Sequence, residues 1–558
     1  MIAGSRTTPR AVREHGSILL LACVCYFPFL MQALHIDSDM LVHASRQVLS
    51  APLDPKLGDY GGNMVLHDHT NMPRSSLFYR CGHPPLLPYV YAPVAAIAND
   101  REWPYHLVSF VFYLAAIYGV WHMLGHFVSP TLRWAGTVLW TISPALVVNS
   151  HTVMWDVPIT AMMIWALSLL VSGTRADSGR AIAASGVVTG LAAVTKTNAV
   201  LLYPVLGGYL IATRRWRHLL AWLPGALAFP LAWVGHNLVY FDRIQYLSIG
   251  LFNPHLGDFR YRLERVVSFL GGCVTLPVFW IWLMLARAGH RLRIVPFALL
   301  GLLWGTLLVA VLNKPLSVGL AAAVFACAGA WCLLRMCTFG LRTGTLNISS
   351  AEAYLLSGYA AGYLPILIAL PSASVRYMLP FVPLAVLALV EEVSRLSDRQ
   401  RRRFLIAAAA VGLPFVLALA TADYLFCEAD RELPRTLEAA EYRPEQTWYF
   451  GRLSYEWYLF HAGYKNLRTS RGAPEPGDFL VHELIPGDYT PHGSLASTCT
   501  LEPLDTISFF GFPLRTKGLF GGFYGDSRLP YSIAPGQPQK AFVVYRLLSR
   551  RGGEDVDE

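Results

Sequence analysis

Residues Arg401 to Ala422 read RRRFLIAAAAVGLPFVLALATA: three arginines, then nineteen residues without a charge. A helix rises 1.5 Å per residue, so a run of this length spans a hydrocarbon core about 30 Å thick. The stretch from Ile294 to Leu312 has the same character, and similar runs recur along most of the chain. Of the 558 residues 54% are hydrophobic and only 15% are charged, with a mean hydropathy of +0.41. A soluble globular protein carries about 25% charged residues, so water is not the main solvent of this one.

Spanning helices are expected near residues 17–34, 104–127, 132–150, 152–172, 181–195, 199–213, 217–237, 266–286, 294–312, 316–336, 352–370, 376–394 and 402–421. That makes about 13, a polytopic, mainly α transmembrane bundle. Basic residues collect in cytoplasmic loops, which gives an independent test. With the N terminus inside (Arg6, Arg10, Arg13), every even-numbered helix ends in a basic loop: Arg133; Arg175 and Arg180; Arg214, Arg215 and Arg217; Arg287, Arg291 and Arg293; Arg335 and Arg342; then Arg395, Arg399 and Arg401 to Arg403. The polar segments 35–103, 238–265 and everything after 422 then lie on the other face.

The chain divides into a cytoplasmic tail (1–16), a transmembrane part (17–422) that includes the outer loop 35–103, and an extracytoplasmic C-terminal domain (423–558). The first apolar run lacks a small-residue cleavage site and reads as the first spanning helix. In the tail, Trp448 to Phe450, Phe479 to Val481 and Ala541 to Tyr545 resemble strands and Tyr455 to Gly463 a helix, a small α/β layer. The Arg-rich composition without organelle signals fits a bacterial inner membrane.

The formal charge of +9 sits in short runs between apolar segments, a topology signal and not a nucleic-acid patch. Most cysteines fall in apolar segments as small hydrophobes; a Cys427–Cys499 bridge is compatible with their outer position. His67-Asp68-His69 offers metal-type ligands, but adjacent residues rarely bind one ion and no third ligand is indicated. No metal or other cofactor is assigned. His35 and His43 read as ordinary polar loop positions.

A charge in a spanning segment costs about 2.5–3.5 kcal/mol on insertion scales, so one that persists usually faces a cavity. Asp37 and Asp39 follow the first helix in HIDSDMLVHASRQVL, Asp156 opens the fourth in SHTVMWDVPITAMMIWAL, Lys196 interrupts GLAAVTKTNAVLLYP and Arg376 begins the twelfth in SASVRYMLPFVPLAVL. Lys196 and Arg376 lie on the face where basic residues are scarce, which calls for an anionic partner. Arg260 and Arg262 add positive charge in the outer loop. Plainer readings stand beside these: solvated acids or helix N-caps for Asp37 and Asp39, a helix-dipole contact for Asp156, snorkelling for Lys196 and lipid headgroups for Arg260 and Arg262.

At these residues the sequence resembles the GT-C glycosyltransferases, the group that includes protein O-mannosyltransferases and the lipid A aminoarabinose transferase. Asp37-Ser38-Asp39 leading into Ala44-Ser45-Arg46-Gln47 resembles the first catalytic motif, His83-Pro84-Pro85-Leu86 the Pro-Pro-Leu element and Asp156-Val157-Pro158 the second acidic motif. Gly190 to Lys196 and Arg376-Tyr377-Met378-Leu379-Pro380 match two further elements in family order. Ser38 stands where many relatives have Glu, His83 where the aminoarabinose transferase has Lys, and Gly82 where it has an acidic metal contact. Its metal site therefore does not carry over.

The resemblance implies a transferase moving a hexose or pentose from a polyprenyl-phosphate donor in the bilayer to an acceptor hydroxyl, protein, lipid or glycan, on the outer face. Asp37 would be the base of an inverting displacement, and Asp156 a second catalytic residue that positions the acceptor or the sugar. Lys196, Arg376, Arg260 and Arg262 would bind the donor phosphate, with Asp39, His83 and Tyr377 as substrate contacts. The competing class is a transporter or flippase of a lipid-linked or anionic substrate. It predicts related halves with broken helices at the midplane, and no such halves are visible in the sequence.

Overall fold

The computed structural model describes residues 9–35, 37–53, 83–241, 244, 246, 259–286, 291–310, 316–339, 346–369, 374–449, 455–467, 474–484, 499–517, 522–524 and 529–550. The protein is a helical bundle with a small sheet near its C terminus. Its helices are α1 (Pro9–Tyr26), α2 (Ser38–Ser50), α3 (Leu86–Ala98), α4 (Trp103–Phe127), α5 (Pro130–Thr141), α6 (Pro144–Ser150), α7 (Asp156–Arg175), α8 (Gly179–Ala193), α9 (Gly208–Ala212) and α10 (Trp216–Phe241). After these come α11 (Phe259–Cys273), α12 (Pro277–Leu285), α13 (Arg291–Ala310), α14 (Leu316–Cys337), α15 (Ser350–Ala369), α16 (Val375–Met378), α17 (Val382–Ser394), α18 (Asp398–Ala439) and α19 (Tyr455–His461).

Each of the expected spans has a helical counterpart, but several are broken, and proline is the cause. Proline lacks an N–H and disfavours a helical residue before it. The span expected at 132–150 splits into α5 and α6 at Ser143-Pro144, where the Ser143 hydroxyl accepts the Leu146 N–H and starts a new helix. The span at 266–286 bends by 84° before Pro277. The one at 376–394 divides around Pro380 into α16 and α17. The segment 199–213 passes through a 3-10 turn (Thr197–Leu201) and a π turn (Tyr203–Gly207) before α9. Among the described residues five helices are long and apolar enough to cross a membrane, α4, α7, α10, α14 and α18, or six with the bent pair counted as one span.

Large apolar side chains such as Leu220, Leu231, Val239 and Leu303 point outward, as a lipid-facing surface requires. At the centre, α17 is buried from Val382 to Val393. Its last turn carries the buried Glu391 and Glu392, which meet Arg335 of α14 and Arg395. Arg175, the final residue of α7, grips Glu352 of α15 with two nitrogens at 2.5 and 2.8 Å. These pairs compensate charges that would otherwise be stranded in an apolar interior.

The C-terminal sheet has the order β2-β1-β3-β7-β4, with β1 (Thr447–Tyr449), β2 (Lys465–Asn466), β3 (Phe479–Glu483), β4 (Cys499–Phe509) and β7 (Lys540–Arg550). β1 runs parallel to β2 and β3, while β7 is antiparallel to β3 and β4. Alternation sorts the faces: Tyr449, Val481 and Val544 pack on Leu433 and Leu437 of α18 and on α19, whereas Trp448, Leu480, Val543 and Tyr545 form the opposite cluster. A short pair, β5 (Leu514–Arg515) and β6 (Ser532–Ile533), stands apart. Leu514, Phe523, Tyr524, Leu529 and Tyr531 join the main core of the bundle. α18 runs unbroken across the boundary expected at residue 422.

Helices α11 and α14 cross at contact distance because Gly271 and Gly329 face each other's backbone. A methyl group at Gly329 would run into the Val267 carbonyl, and one at Gly271 into the Phe325 carbonyl. Small residues permit this approach where no hydrophobic force holds helices together in lipid. Gly329→Val is therefore expected to destabilise the protein by about 1–3 kcal/mol, the usual cost of overpacking, read as a lowered melting temperature in detergent. An unchanged melting temperature would refute the tight crossing.

Candidate active site

The site begins with the stretch that links α1 to α2. Its backbone polar groups are met by side chains from far along the chain: the Ala33 N–H donates to Glu428 (3.2 Å), the Leu34 N–H to the Tyr458 hydroxyl (2.8 Å), and the Gln32 carbonyl meets His106 Nε2 (2.9 Å). A turn follows, with both the N–H and the hydroxyl of Ser38 donating to the His35 carbonyl (2.9 and 2.6 Å). This turn presents Asp37 at the start of α2.

Asp37 occupies the N-cap position but makes no capping hydrogen bond. Its Oδ2 instead accepts from Arg376 Nη1 at 2.7 Å, with the carboxylate side chain 29% exposed and the guanidinium 12%. Arg376 sits on α16, whose entry is held by one backbone carbonyl. Phe523 O accepts the Ser374 hydroxyl (2.5 Å) and the Arg376 N–H (3.2 Å). The same Nη1 also reaches Met154 Sδ at 3.9 Å, and Nη2 donates to the Tyr377 hydroxyl at 3.2 Å.

A second pair lies alongside. Lys196, in extended backbone just beyond α8, reaches Asp156 in the first turn of α7, with Nζ–Oδ1 of 2.6 Å and both side chains 5% exposed. Lys196 therefore does not snorkel to the interface, and Asp156 does more than complement a helix dipole. The Tyr377 ring joins the two pairs, with Lys196 Nζ 4.8 Å and Arg376 Cζ 5.0 Å from its centroid. Cation–π attraction of this kind contributes about 0.5–2 kcal/mol. His83 packs edge-on against Trp155 (4.8 Å), and the Leu86 N–H donating to Val194 O (3.0 Å) ties its segment to the one bearing Lys196. Burial, reinforced by Lys196 and Arg376, holds the His83 imidazole well below its ordinary value, so it is neutral.

Folding thus gathers Asp37, Asp156, Lys196, Arg376, Tyr377 and His83. Asp39 is 2% exposed, and its Oδ1 accepts the Met40 N–H (2.8 Å). The side chains of Arg260 and Arg262 and the whole of His67-Asp68-His69 lie outside the described residues. Cys427 is a free buried thiol, so the Cys427–Cys499 bridge is not formed. The expected loop histidines are corrected as well: His35 is 1% exposed, and His43 lies in α2 with its ring tilted against Trp457 at 4.8 Å. Sequence reading missed Met154, Trp155 and the Phe523 carbonyl. Trp155 adjoins the Asp156 motif, but a backbone carbonyl about 150 residues away leaves no trace in residue type.

Burial, and next the charge of Asp37, pushes the Asp39 carboxyl up to about 7. Its unfolded value is about 3.9. A carboxyl raised on folding favours the native state below the lower value and withdraws that contribution as pH climbs through the higher one. Asp39→Asn keeps an acceptor for Met40 and removes the charge. It is expected to raise the melting temperature by several degrees at pH 8 and to leave it nearly unchanged at pH 4; a lower value than wild type at pH 8 would contradict the buried-charge account.

Residues 82–236 match the family described as dolichyl-phosphate-mannose-protein mannosyltransferase. No curated protein matches the chain. Solved structures similar to it include ArnT from Cupriavidus metallidurans bound to undecaprenyl phosphate, at 14% identity over 96% of this chain and 98% of that one, with a TM-score of 0.44. Arabinofuranosyltransferase AftD from Mycobacteria is similar at 13% identity over 96% of this chain and 40% of that one (TM-score 0.40), and arabinosyltransferase EmbB from Mycobacterium smegmatis at 13% over 91% and 48% (TM-score 0.34). The family match covers the segment that supplies His83, Asp156 and Lys196, and it bears out the resemblance to the GT-C superfamily of membrane glycosyltransferases.

Proposed function

We propose that this chain is an inverting glycosyltransferase that moves a sugar from a polyprenyl-phosphate donor to an acceptor hydroxyl at the outer membrane boundary. The reading rests above all on the ion pair between Asp37 and Arg376 at 2.7 Å, formed beside the pair of Lys196 and Asp156. One carboxylate next to fixed cations is what the reaction demands. In the orientation favoured by the basic loops, the N terminus is cytoplasmic and the domain after 422 extracytoplasmic.

Asp37 acts as general base. It takes the acceptor's proton as that oxygen forms a bond to the anomeric carbon, while the bond from that carbon to the phosphate oxygen breaks from the opposite side. The donor is a phosphodiester with one negative charge, and the departing polyprenyl phosphate carries more. Cations fixed beside it stabilise the transition state more than the ground state, which is the condition for catalysis. Arg376 is the first of these cations. Before substrate arrives Asp37 neutralises it; a donor phosphate sharing Arg376 frees the carboxylate to accept a proton. Lys196, aimed by Asp156 and the Tyr377 ring, is the second. Arg260 and Arg262 are proposed as outer phosphate contacts, and His83, neutral and beside Trp155, as a sugar contact together with Tyr377 and Asp39.

Purified protein incubated with polyprenyl-phosphate-linked sugars is expected to release polyprenyl phosphate. Asp37→Asn is expected to abolish release without loss of expression or donor binding, and turnover by that variant at the wild-type rate would remove the base assignment. Arg376→Lys, which keeps the charge but loses the planar fork, is expected to lower the rate by about 100- to 1,000-fold. The same assay scored for transport across a vesicle with no released lipid phosphate would favour the flippase class instead.

A further inference from the structure

Behind the Asp37 turn lies a second buried polar cluster that the reaction does not use. Asp423 and Cys427 are one helical turn apart on α18, at spacing i, i+4, and so share one face of the helix. His35 approaches them from the stretch before Asp37, and its Nε2 is 3.6 Å from Asp423 Oδ1. The donor atoms of the three residues all lie within 4.8 Å of one another. His35 is 1% exposed, Asp423 and Cys427 are fully buried, and among the described residues neither ring nitrogen of His35 has a hydrogen-bond partner. Its ring is clasped by Tyr524 at 4.0 Å and Phe426 at 5.6 Å.

Charge points the same way. The neighbouring ions balance among themselves: Lys540 meets Asp430 (2.5 Å) and Glu483 (3.5 Å), and Lys517 meets Glu483 (3.2 Å). Asp423 stands outside this balance, and among the described residues no Lys or Arg pairs with it. It is instead oriented by three donors, Thr516 Oγ1 (2.8 Å), Gln32 Nε2 (3.1 Å) and the Tyr524 hydroxyl (3.2 Å). Outer hydrogen bonds of this type aim a metal-binding carboxylate.

We infer that His35, Asp423 and Cys427 form a zinc site that fastens the segment leading into Asp37 to α18. An imidazole, a carboxylate and a thiolate suit Zn²⁺ and not Mg²⁺ or Ca²⁺. Ligands at 2.0–2.3 Å in a tetrahedron stand about 3.3–3.6 Å apart, so the His35–Asp423 separation already fits and the set closes by about 1 Å. On binding, the Cys427 thiol releases its proton to solvent. Zn²⁺ with the thiolate and Asp423 then sums to zero charge, and the fourth position is left for an oxygen ligand. The site is independent of the transfer reaction proposed above and differs in its residues from the metal contact of the aminoarabinose transferase.

The test is metal content of the full-length protein, purified in detergent without a histidine tag. About one zinc per chain is expected, and Co²⁺ exchange is expected to produce a near-ultraviolet thiolate-to-cobalt band. Cys427→Ser is expected to lose both while remaining monodisperse, and Asp423→Asn to weaken zinc retention against a competing chelator by about 10-fold or more. Should Cys427→Ser not fold, the wild-type cobalt spectrum decides alone. Folded wild-type protein with neither zinc nor a cobalt band overturns the site, as does full metal retention by Cys427→Ser. Polyprenyl phosphate release by wild type with no metal bound would sink the site and spare the enzyme reading.

Discussion

An ionised group moved out of water loses several kcal/mol of hydration, and an opposite charge at close range is the strongest means of returning it. The bundle meets this constraint repeatedly. Arg376 finds Asp37, Lys196 finds Asp156, Arg175 finds Glu352, and Arg335 with Arg395 finds Glu391 and Glu392. Most partners come from separate elements, so a misplaced helix strands a charge at each end of the error. Apolar contacts between helices tolerate sliding; these pairs do not.

At the site the same constraint resolves a conflict between stability and chemistry. Two cations and two carboxylates in one pocket are formally neutral when nothing is bound. Each cation has a partner, and both cations also share one aromatic ring. A pocket holding cations alone would repel itself and weaken the fold. Pairing lets the charges persist at low exposure.

The apolar runs and their lengths were legible because crossing a bilayer is a local property of about twenty residues. Asp37, Asp156, Lys196 and Arg376 were legible for the complementary reason, as charges in an apolar setting. Their pairing was not. Arg376 and Asp37 are 339 positions apart, and nothing in residue type says that Lys196 meets Asp156 directly. The breaks at Pro144, Pro277 and Pro380 could have been read from the prolines, had length not been given priority over them. β4 escaped notice because bulges near Thr500 and Pro503 disturb its alternation. His35 looked like a loop residue because it lies between the first apolar run and Asp37; its burial comes from Tyr524 and Phe426, contributed by much later parts of the chain.

The uninterrupted passage of α18 from the bundle into the sheet, and the return of residues 514–531 into the bundle core, mean that the two halves are not modules in the evolutionary sense. A recombination event that swapped the tail for another would also replace the carbonyl that steadies Arg376 and the rings that clasp His35. A tail grafted in its place would have to bring equivalents of that carbonyl and those rings, or leave the bundle's charged turn unsupported.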